Sequence, residues 1–484
     1  MTASATAEEQ RPLGHRPARK RGYQARERLI ALAPGCVRPS GWVKRSAELE
    51  CDGFMVMIVQ EDHRHFLRSF YEGSPTVFSG EHAGYWNDAA VGLALISGRE
   101  DSWAGICERI EATLSAAAGR KGFVSEHYNG WGVHLMIMAL MTYFEATGDQ
   151  RVLALCHRIA LEMATELHSP EGTAFLGDHP VNMASSCALL FGYTGDERML
   201  AMAETIAARF DAGGLPNLHR LLHDDLLAGH CVNYCEDLRY PADLFLASGN
   251  PDHLAASRRG VALTERDHLQ IHGAPSGNEM VYGLGPHKET EHCDTVEWSF
   301  VGHALLAATG ESAYADLAES ALFNAWAGSR KWDGRSLSYT FTPNQLTAAG
   351  WDSDWPPRKR FSAFHWPQCC NLNSHRALAP YASRMCGCWL LRAGWLRCTT
   401  AHARCAWTCP ARARWSLSSA PNIPLTSIST SPSSRPAERD FPSGCASRAG
   451  APPLRLQSMG SRRKPPALPA PFACWIARGN PGIP

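Results

Sequence analysis

Five short stretches of the chain share one grammar: "ALISGREDSW", "FEATGDQRVL", "FGYTGDERML", "FLASGNPDHL" and "LAATGESAYA". In each, an apolar helical run reaches a glycine and then a polar residue, after which a second helical run begins. The glycines are Gly98, Gly148, Gly195, Gly249 and Gly310. A glycine just past a helix accepts the left-handed conformation that closes it. The Asp, Asn or Ser that follows in most copies can cap the next helix. The repeat is about 50 residues long, enough for one helical hairpin and a loop.

The runs on either side behave as different kinds of helix. "DSWAGICERIEATLSAAA" (101–118) puts Trp103, Ile106, Ile110 and Leu114 on one face. "WGVHLMIMALMTYFEATG" (131–148) is apolar nearly all round and predicts a buried helix, while "DQRVLALCHRIALEMATELH" (149–168) is amphipathic again. Buried helices alternating with half-exposed ones predict an inner ring packed on both sides and an outer ring facing water. That is an all-α fold, an (α/α)6 toroid of roughly six hairpins. An open α-solenoid is the other arrangement this pattern allows.

Composition narrows the class. The chain has 484 residues and a formal net charge of zero, so nothing in its charge favours nucleic acid or an anionic membrane. No apolar run is long enough to span a bilayer. The first residues, "MTASATAEEQRPLGHRPARKRGYQ", are polar and basic and lack the apolar core of a signal peptide. Residues 1–25 are expected to be a disordered basic tail, and the cytoplasm is the expected compartment. Seventeen cysteines in a reducing compartment point to metal ligands or reactive groups before disulfides.

Near residue 386 the chain changes character. Residues 386–484 hold thirteen Lys and Arg, seven of the cysteines and only two acidic residues, Glu438 and Asp440. Neither helix nor strand period shows there, and Pro and Ser are dense. A disordered basic tail is one reading. Five tryptophans (Trp389, Trp395, Trp407, Trp415 and Trp475) argue against it, because disordered tails seldom carry them. The preferred expectation is an irregular segment translated in a shifted frame, with 26–385 as the helical domain.

Chemistry-bearing residues cluster in two places. "HWPQCCNLNSHR" (365–376) sets Cys369 beside Cys370. About 75 residues upstream, "SGNEMVYGLGPHKETEHCDTVEWSF" holds Glu279, Glu289, Glu291 and Cys293, with an E-x-C pair just ahead of a helix. Residues i and i+2 of an extended segment point the same way, so Glu291 and Cys293 could reach one cation. Together with Cys369 and Cys370 they supply the four ligands that tetrahedral zinc takes. Core cysteines and a solvated glutamate are the plainer reading of the same residues. "SGEHAGYW" (79–86), with Glu81, His82, Tyr85 and Trp86, suits either sugar stacking or loop-to-helix packing.

"EHC" ahead of a helix and "CCNLN" followed by Arg376 resemble the E-T-C and C-C-P-P-N segments of the β-L-arabinofuranosidase-like glycoside hydrolases of family 127. "GHCVNY" (229–234) is similar to that family's G-H-A-V segment, and "GWGVHLMIMALMTYFEATGD" (130–149) to its H-L-I-E-A-A segment. The resemblance covers roughly residues 40–385, and this chain departs from it at His292, Asn371 and Leu372. It implies Zn2+ held by Glu291, Cys293, Cys369 and Cys370, with Cys369 as the nucleophile and Glu279 as the acid/base. Glu289 is the fallback for the latter role. It implies a sugar pocket with His134 and His230, and Tyr339 is a further pocket candidate. It also implies β-sandwich domains after the toroid, where this chain has its irregular segment.

The expected function is thus a zinc-dependent retaining glycoside hydrolase acting on a β-L-arabinofuranoside or a related small glycoside or oligosaccharide. No nucleic-acid or membrane partner is expected. An inactive truncated toroid with at most a structural zinc is the alternative, and a sugar-binding toroid without turnover is a third.

Overall fold

The computed structural model describes residues 17–37, 39–53, 79–119, 130–167, 181–209, 217–344, 359–363, 365, 368–384, 388–391 and 396–398. The chain divides into two units, Met1–Arg414 and Trp415–Pro484, and every described residue lies in the first.

Each of the five glycines has a positive φ, between 68° and 78°, immediately after a helix. The helices they close are Ser79–Ser97, Gly130–Thr147, Asn182–Thr194, Cys231–Ser248 and His292–Thr309. These form the inner ring. Each is followed by an outer helix: Glu100–Ala117, Gln150–Leu167, Glu197–Arg209, Pro251–Asp267 and Ser312–Ser320, the last continuing into a π turn, Ala321–Trp326. Capping by the next polar residue also holds at three junctions. Asp149 Oδ1 accepts from Arg151 N, Asp196 Oδ1 from Arg198 N, and Asn250 Oδ1 from Asp252 N, all at 3.0 Å. The apolar-all-round reading of the inner helices holds as well: nearly every residue of Gly130–Thr147 and of His292–Thr309 is buried.

The ring closes. Each inner helix packs on the next, and a sixth inner segment, Cys369–Asn373 with Ser374–Arg376 and Leu378–Arg384, packs on both His292–Thr309 and Ser79–Ser97. An open solenoid is therefore ruled out. Helix Gly41–Asp52 lies outside this seam, against Ser79–Ser97 and Leu378–Arg384. Glu50 fastens it there, buried between Arg330 Nη1 at 2.6 Å and His375 Nδ1 at 2.7 Å.

Because every hairpin returns to the same edge, the inner helices run parallel and their N-termini share one rim. The opposite rim is crossed by the chain's own N-terminal segment. Lys20 N donates to Gly192 O at 2.7 Å, Arg28 N to Ala307 O at 2.8 Å, and Arg26 Nη1 to Leu246 O and Ala247 O. Tyr23, in the short helix Arg21–Arg26, is buried, and Arg19 pairs with Glu27 and Glu145. This corrects the boundary of the expected disordered tail: from residue 17 the chain is docked. Its basic side chains meet the negative ends of the inner helices, where cations are favoured. Such a segment has the same composition as a disordered basic tail.

Strands are few and short. Thr290–Glu291 pairs antiparallel with Thr340–Phe341, and Leu337–Ser338 with Phe361–Ser362. Leu29–Ile30 pairs with Cys388–Leu391, which pairs in turn with Leu396–Cys398. The segment beyond residue 386 is thus not irregular from its start. Leu29–Ile30 offers it a free strand edge, and an edge is a template for pairing. The remainder of that expectation, including residues 400–484, lies outside the described residues, as do residues 1–16.

Two glycines separate conformational need from convenience. Gly310 (φ 74°) leaves room for a methyl group, the nearest atom being Arg28 Cβ at 3.4 Å, while Gly105 sits inside Glu100–Ala117 with open space around it. Gly310→Ala is expected to lower stability by about 1–2 kcal/mol through its left-handed backbone alone. Gly105→Ala is expected to raise it by about 0.5–1 kcal/mol. Urea unfolding followed by circular dichroism measures both, and equal effects would contradict the capping role.

Candidate metal centre and active site

Ligand atoms of Glu291, Cys293, Cys369 and Cys370 all lie within 4.8 Å of one another. Local structure explains the meeting. The two-residue ladder aligns Glu291 with Thr340, and His292 N donates to Tyr339 O at 2.8 Å, which fixes where Glu291 leaves its strand. Cys293 follows as the second residue of His292–Thr309. Cys369 and Cys370 open the sixth inner segment at the same rim.

Two of the positions that depart from the resembling pattern, His292 and Asn371, hold this arrangement together. His292 Nδ1 meets Ser329 Oγ at 2.9 Å and its Nε2 meets Ser374 Oγ at 2.7 Å, tying the fifth helix to the sixth segment. Asn371 Nδ2 donates to Ser362 O and Ala363 O, and its Oδ1 accepts from His365 N.

The three thiols differ in surroundings. Cys293 and Cys370 are fully buried, while Cys369 is half-buried. Burial pushes the Cys293 and Cys370 thiols up. Cys369 is held well below the ordinary thiol value, first by the hydrogen bond from Cys293, then by that from Cys370, against the effect of burial. Tyr339 Oη lies 3.1 Å from Cys369 Sγ. Burial and the Cys369 charge push the Tyr339 phenol well up, so it stays protonated and donates to the sulfur. Glu291 is also pushed well up, first by burial and then by the nearby charge of Glu279. Its Oε1 accepts from Cys370 Sγ and its Oε2 from Cys231 Sγ, both at 3.4 Å.

Glu279 sits beside this cluster, on the loop leading to the Glu291 strand. Its Oε2 lies 3.3 Å from His230 Nε2, and its side chain is 42% exposed. It has φ 65°, the one positive φ outside glycine among the described residues. A non-glycine residue in this region is sterically disfavoured and is held there by its surroundings. Here Cys231 N donates to Glu279 O at 3.0 Å and Val281 N to Gly229 O at 3.1 Å, so the loop is pinned on both sides of the residue. His230 Nδ1 lies 2.6 Å from Asn233 Oδ1. Burial would lower the His230 pKa, but Glu279, Glu291 and Asp294 outweigh it and raise the group to about 9.

The other expected residues fall in different places. Glu289 is buried and paired with Lys359. His134 is buried, with Nδ1 2.8 Å from Ser186 Oγ. It lines a cavity of about 160 Å³ inside the ring, along with Arg19, Ser185, Arg239, Phe300 and Arg376. None of the four cluster residues lines that cavity. In the "SGEHAGYW" stretch, Tyr85 and Trp86 are buried, and Arg109 stacks over Trp86. His82 lies close enough for its charge to act on Cys369. Two residues at this rim were not singled out from the sequence, Cys231 and Asp294. The available signal was a cysteine where the resembling segment has alanine.

Donor chemistry fits a metal of the zinc type: three thiols and one carboxylate, gathered out of water, in the number a tetrahedral site takes. Bonds of about 2.3 Å to sulfur place tetrahedral donors about 3.7 Å apart, and the observed limit of 4.8 Å needs only small closing movements.

Comparison with known proteins bears on the fold and the family. No curated protein sequence matches the chain. Among solved structures, a β-arabinofuranosidase of family 127 aligns with TM-score 0.58 at 16% identity, over 74% of this chain and 62% of its own. The β-L-arabinofuranosidase of Geobacillus stearothermophilus T6 aligns with TM-score 0.57 at 16% identity, over 72% and 65%. A structure described as a glycoside hydrolase gives 0.59 at 13% identity, over 78% and 64%. At such identities the likeness is one of fold, and the chain spans less than two thirds of the length of each. The family model described as "Beta-L-arabinofuranosidase, GH127 catalytic domain" matches residues 91–383. That span begins within the first inner helix and ends in the sixth inner segment, taking in Glu279, the E-x-C pair and the adjacent cysteines, and by it the chain belongs to glycoside hydrolase family 127.

Proposed function

We propose that the chain is a zinc-dependent retaining glycosidase for β-L-arabinofuranosides or a closely related small glycoside, with Cys369 as nucleophile and Glu279 as acid/base. The observation that carries this reading is the gathering of Glu291, Cys293, Cys369 and Cys370 at one rim of the toroid with Glu279 beside them. Zinc bound by those four residues would keep the sulfurs as thiolates at neutral pH.

Each residue then has a definite task. Cys369, the least buried of the three cysteines, presents its sulfur to the anomeric carbon. The C–S bond forms as the bond to the leaving oxygen breaks, and Glu279 gives that oxygen its proton. In the second half, ionised Glu279 takes a proton from water, the water oxygen attacks the anomeric carbon, and the sulfur leaves as thiolate. Two displacements at one carbon retain its configuration. Tyr339 holds the sulfur in position through its hydroxyl. His230 orients the Glu279 carboxylate. His82, whose charge acts on Cys369, is assigned to the sugar side of the site, while His134 is assigned to it by its resembling segment alone, since the cavity it lines includes none of the four cluster residues.

The helical domain is assigned to residues 26–385, with residues 17–25 docked on it, and the compartment to the cytoplasm. Among the described residues no helix is long and apolar enough to cross a membrane. Residues 386–484 are assigned to a shifted reading frame from near the codon for Met385. The coding DNA checks this directly: another frame past that codon should encode alternating strand patterns, and their absence from every frame would sink the assignment.

Glu279→Gln should lose about 100-fold or more in turnover on substrates with poor leaving groups, while keeping its metal. Cys369→Ala should abolish turnover on every aryl glycoside. Undiminished hydrolysis in Glu279→Gln would move the acid to another residue. Loss of zinc without loss of fold would mark an inactive toroid.

Metal binding should also release protons, because burial raises the Cys293 and Cys370 thiols above their ordinary value and both hold their protons at neutral pH. Affinity for Zn2+ should therefore rise with pH. Calorimetry in two buffers of different ionisation enthalpy should show release of at least about two protons per ion at pH 7. No release would contradict thiolate ligation.

A further inference from the structure

We propose that the short helix Leu218–His223 carries a surface site for a borderline divalent ion such as Zn2+, Ni2+ or Cu2+, held by His219 and His223. The site shares no residue with the rim cluster and does not rest on the preceding reading. The helix reads "LHRLLH", with histidines at i and i+4. Residues so spaced are neighbours on one helix face. Both histidines are exposed. Their ring centroids lie 4.6 Å apart, with the planes tilted by 47°. Two imidazoles at this spacing on one helix form the pair that helical zinc motifs use. Donor nitrogens on one ion stand about 3 Å apart, given bonds of about 2.0–2.1 Å. Rotation of the two exposed side chains reaches that spacing without moving the backbone.

The backbone under the pair is fixed by the protein itself. Asn217 Oδ1 accepts from Arg220 N at 2.8 Å and caps the helix at its start. At its end Asp224 N donates to Arg220 O at 2.9 Å. Leu221 is buried, against helix Pro251–Asp267, and Arg259 Nη1 donates to its carbonyl at 3.0 Å. Two ligands on a turn held in this way bind as a chelate. Once one imidazole holds the ion, the other is presented at high effective concentration. The guanidinium between them in sequence is offset, because Arg220 Nε lies 3.9 Å from Asp224 Oδ2. Imidazole suits Zn2+, Ni2+ and Cu2+, whereas Ca2+ and Mg2+ take oxygen donors. Two imidazoles leave the ion's remaining positions to water. An ion held here ties together one turn of a helix too short to be stable alone, on the approach to Gly229 and His230.

Calorimetric titration of Ni2+ into the full chain decides the matter. The chain carries no affinity tag, and it is first loaded with Zn2+ and freed of excess by gel filtration, so that the thiol cluster is filled. One saturable equivalent of Ni2+ is expected. His219→Ala and His223→Ala should each weaken it by about 10-fold or more, since each leaves a single imidazole. His287→Ala, which removes another exposed histidine, should leave it unchanged. Both helix histidines are on the surface, so the variants should keep the fold, and far-UV circular dichroism verifies it. Absence of saturable binding overturns the proposal. An equivalent that keeps its affinity in both His219→Ala and His223→Ala overturns it too. If that equivalent is instead lost in Cys293→Ala, the ion has entered the rim cluster, which overturns this site and leaves the preceding reading standing. Equal weakening in His287→Ala places the ion elsewhere and likewise overturns the proposal.

Discussion

Glu297 lies at the middle of the ring, fully buried, between two guanidinium groups from two other inner segments. Arg239 Nη1 meets its Oε2 at 3.0 Å and Arg376 Nη1 meets its Oε1 at 2.6 Å. Arg376 also binds Asp88 Oδ2 at 2.8 Å, in the first inner helix, and Asn373 Oδ1 at 2.8 Å. One network thus joins four inner segments. Removing one partner from a buried ion pair costs about 3–5 kcal/mol, because the other charge is left stranded. These segments must therefore be docked together or not at all. Asn373 and Arg376 follow Cys369 and Cys370 within about two turns of the same inner segment, so the network also sets the height at which the cysteines meet the rim.

The toroid supplies what a cluster of acidic donors needs. Parallel inner helices bring their positive ends to one rim, and two of the cysteines open long helices there: Cys231 is the first residue of its helix and Cys293 the second. Helix N-termini favour thiolate and carboxylate. The opposite rim is its complement, with Arg26 on the last carbonyls of Cys231–Ser248. One chain polarity therefore serves anions at one face and cations at the other.

How much of this was legible follows from distance along the chain. The glycine caps and the two kinds of helix are local, and the sequence carries them within ten to twenty residues. The E-x-C pair and the adjacent cysteines are each local too, so only their meeting had to be inferred. Cys231 and Asp294 were not legible as partners. They lie on different helices, and nothing local distinguishes them from core residues. The docking of Arg19 and Tyr23 was hidden for another reason: a basic segment that satisfies carbonyl groups reads like one that satisfies only water. Asn371 and His292 looked like neutral departures from a motif, and their hydrogen bonds show them to be braces.

Glu50 reaches across 280 residues to Arg330 and across 325 to His375. It marks the seam where the ring's two ends join. The four-ligand cluster straddles the same closing step, since Glu291 and Cys293 belong to the fifth inner helix and Cys369 and Cys370 to the sixth segment. Contacts of such sequence separation form late, because loop-closure entropy must be met first. During synthesis, then, the chain carries two half-sites that cannot chelate as a unit until its last inner segment emerges and docks. A chain stalled before residue 369 would thus carry only the Glu291 and Cys293 half of the cluster.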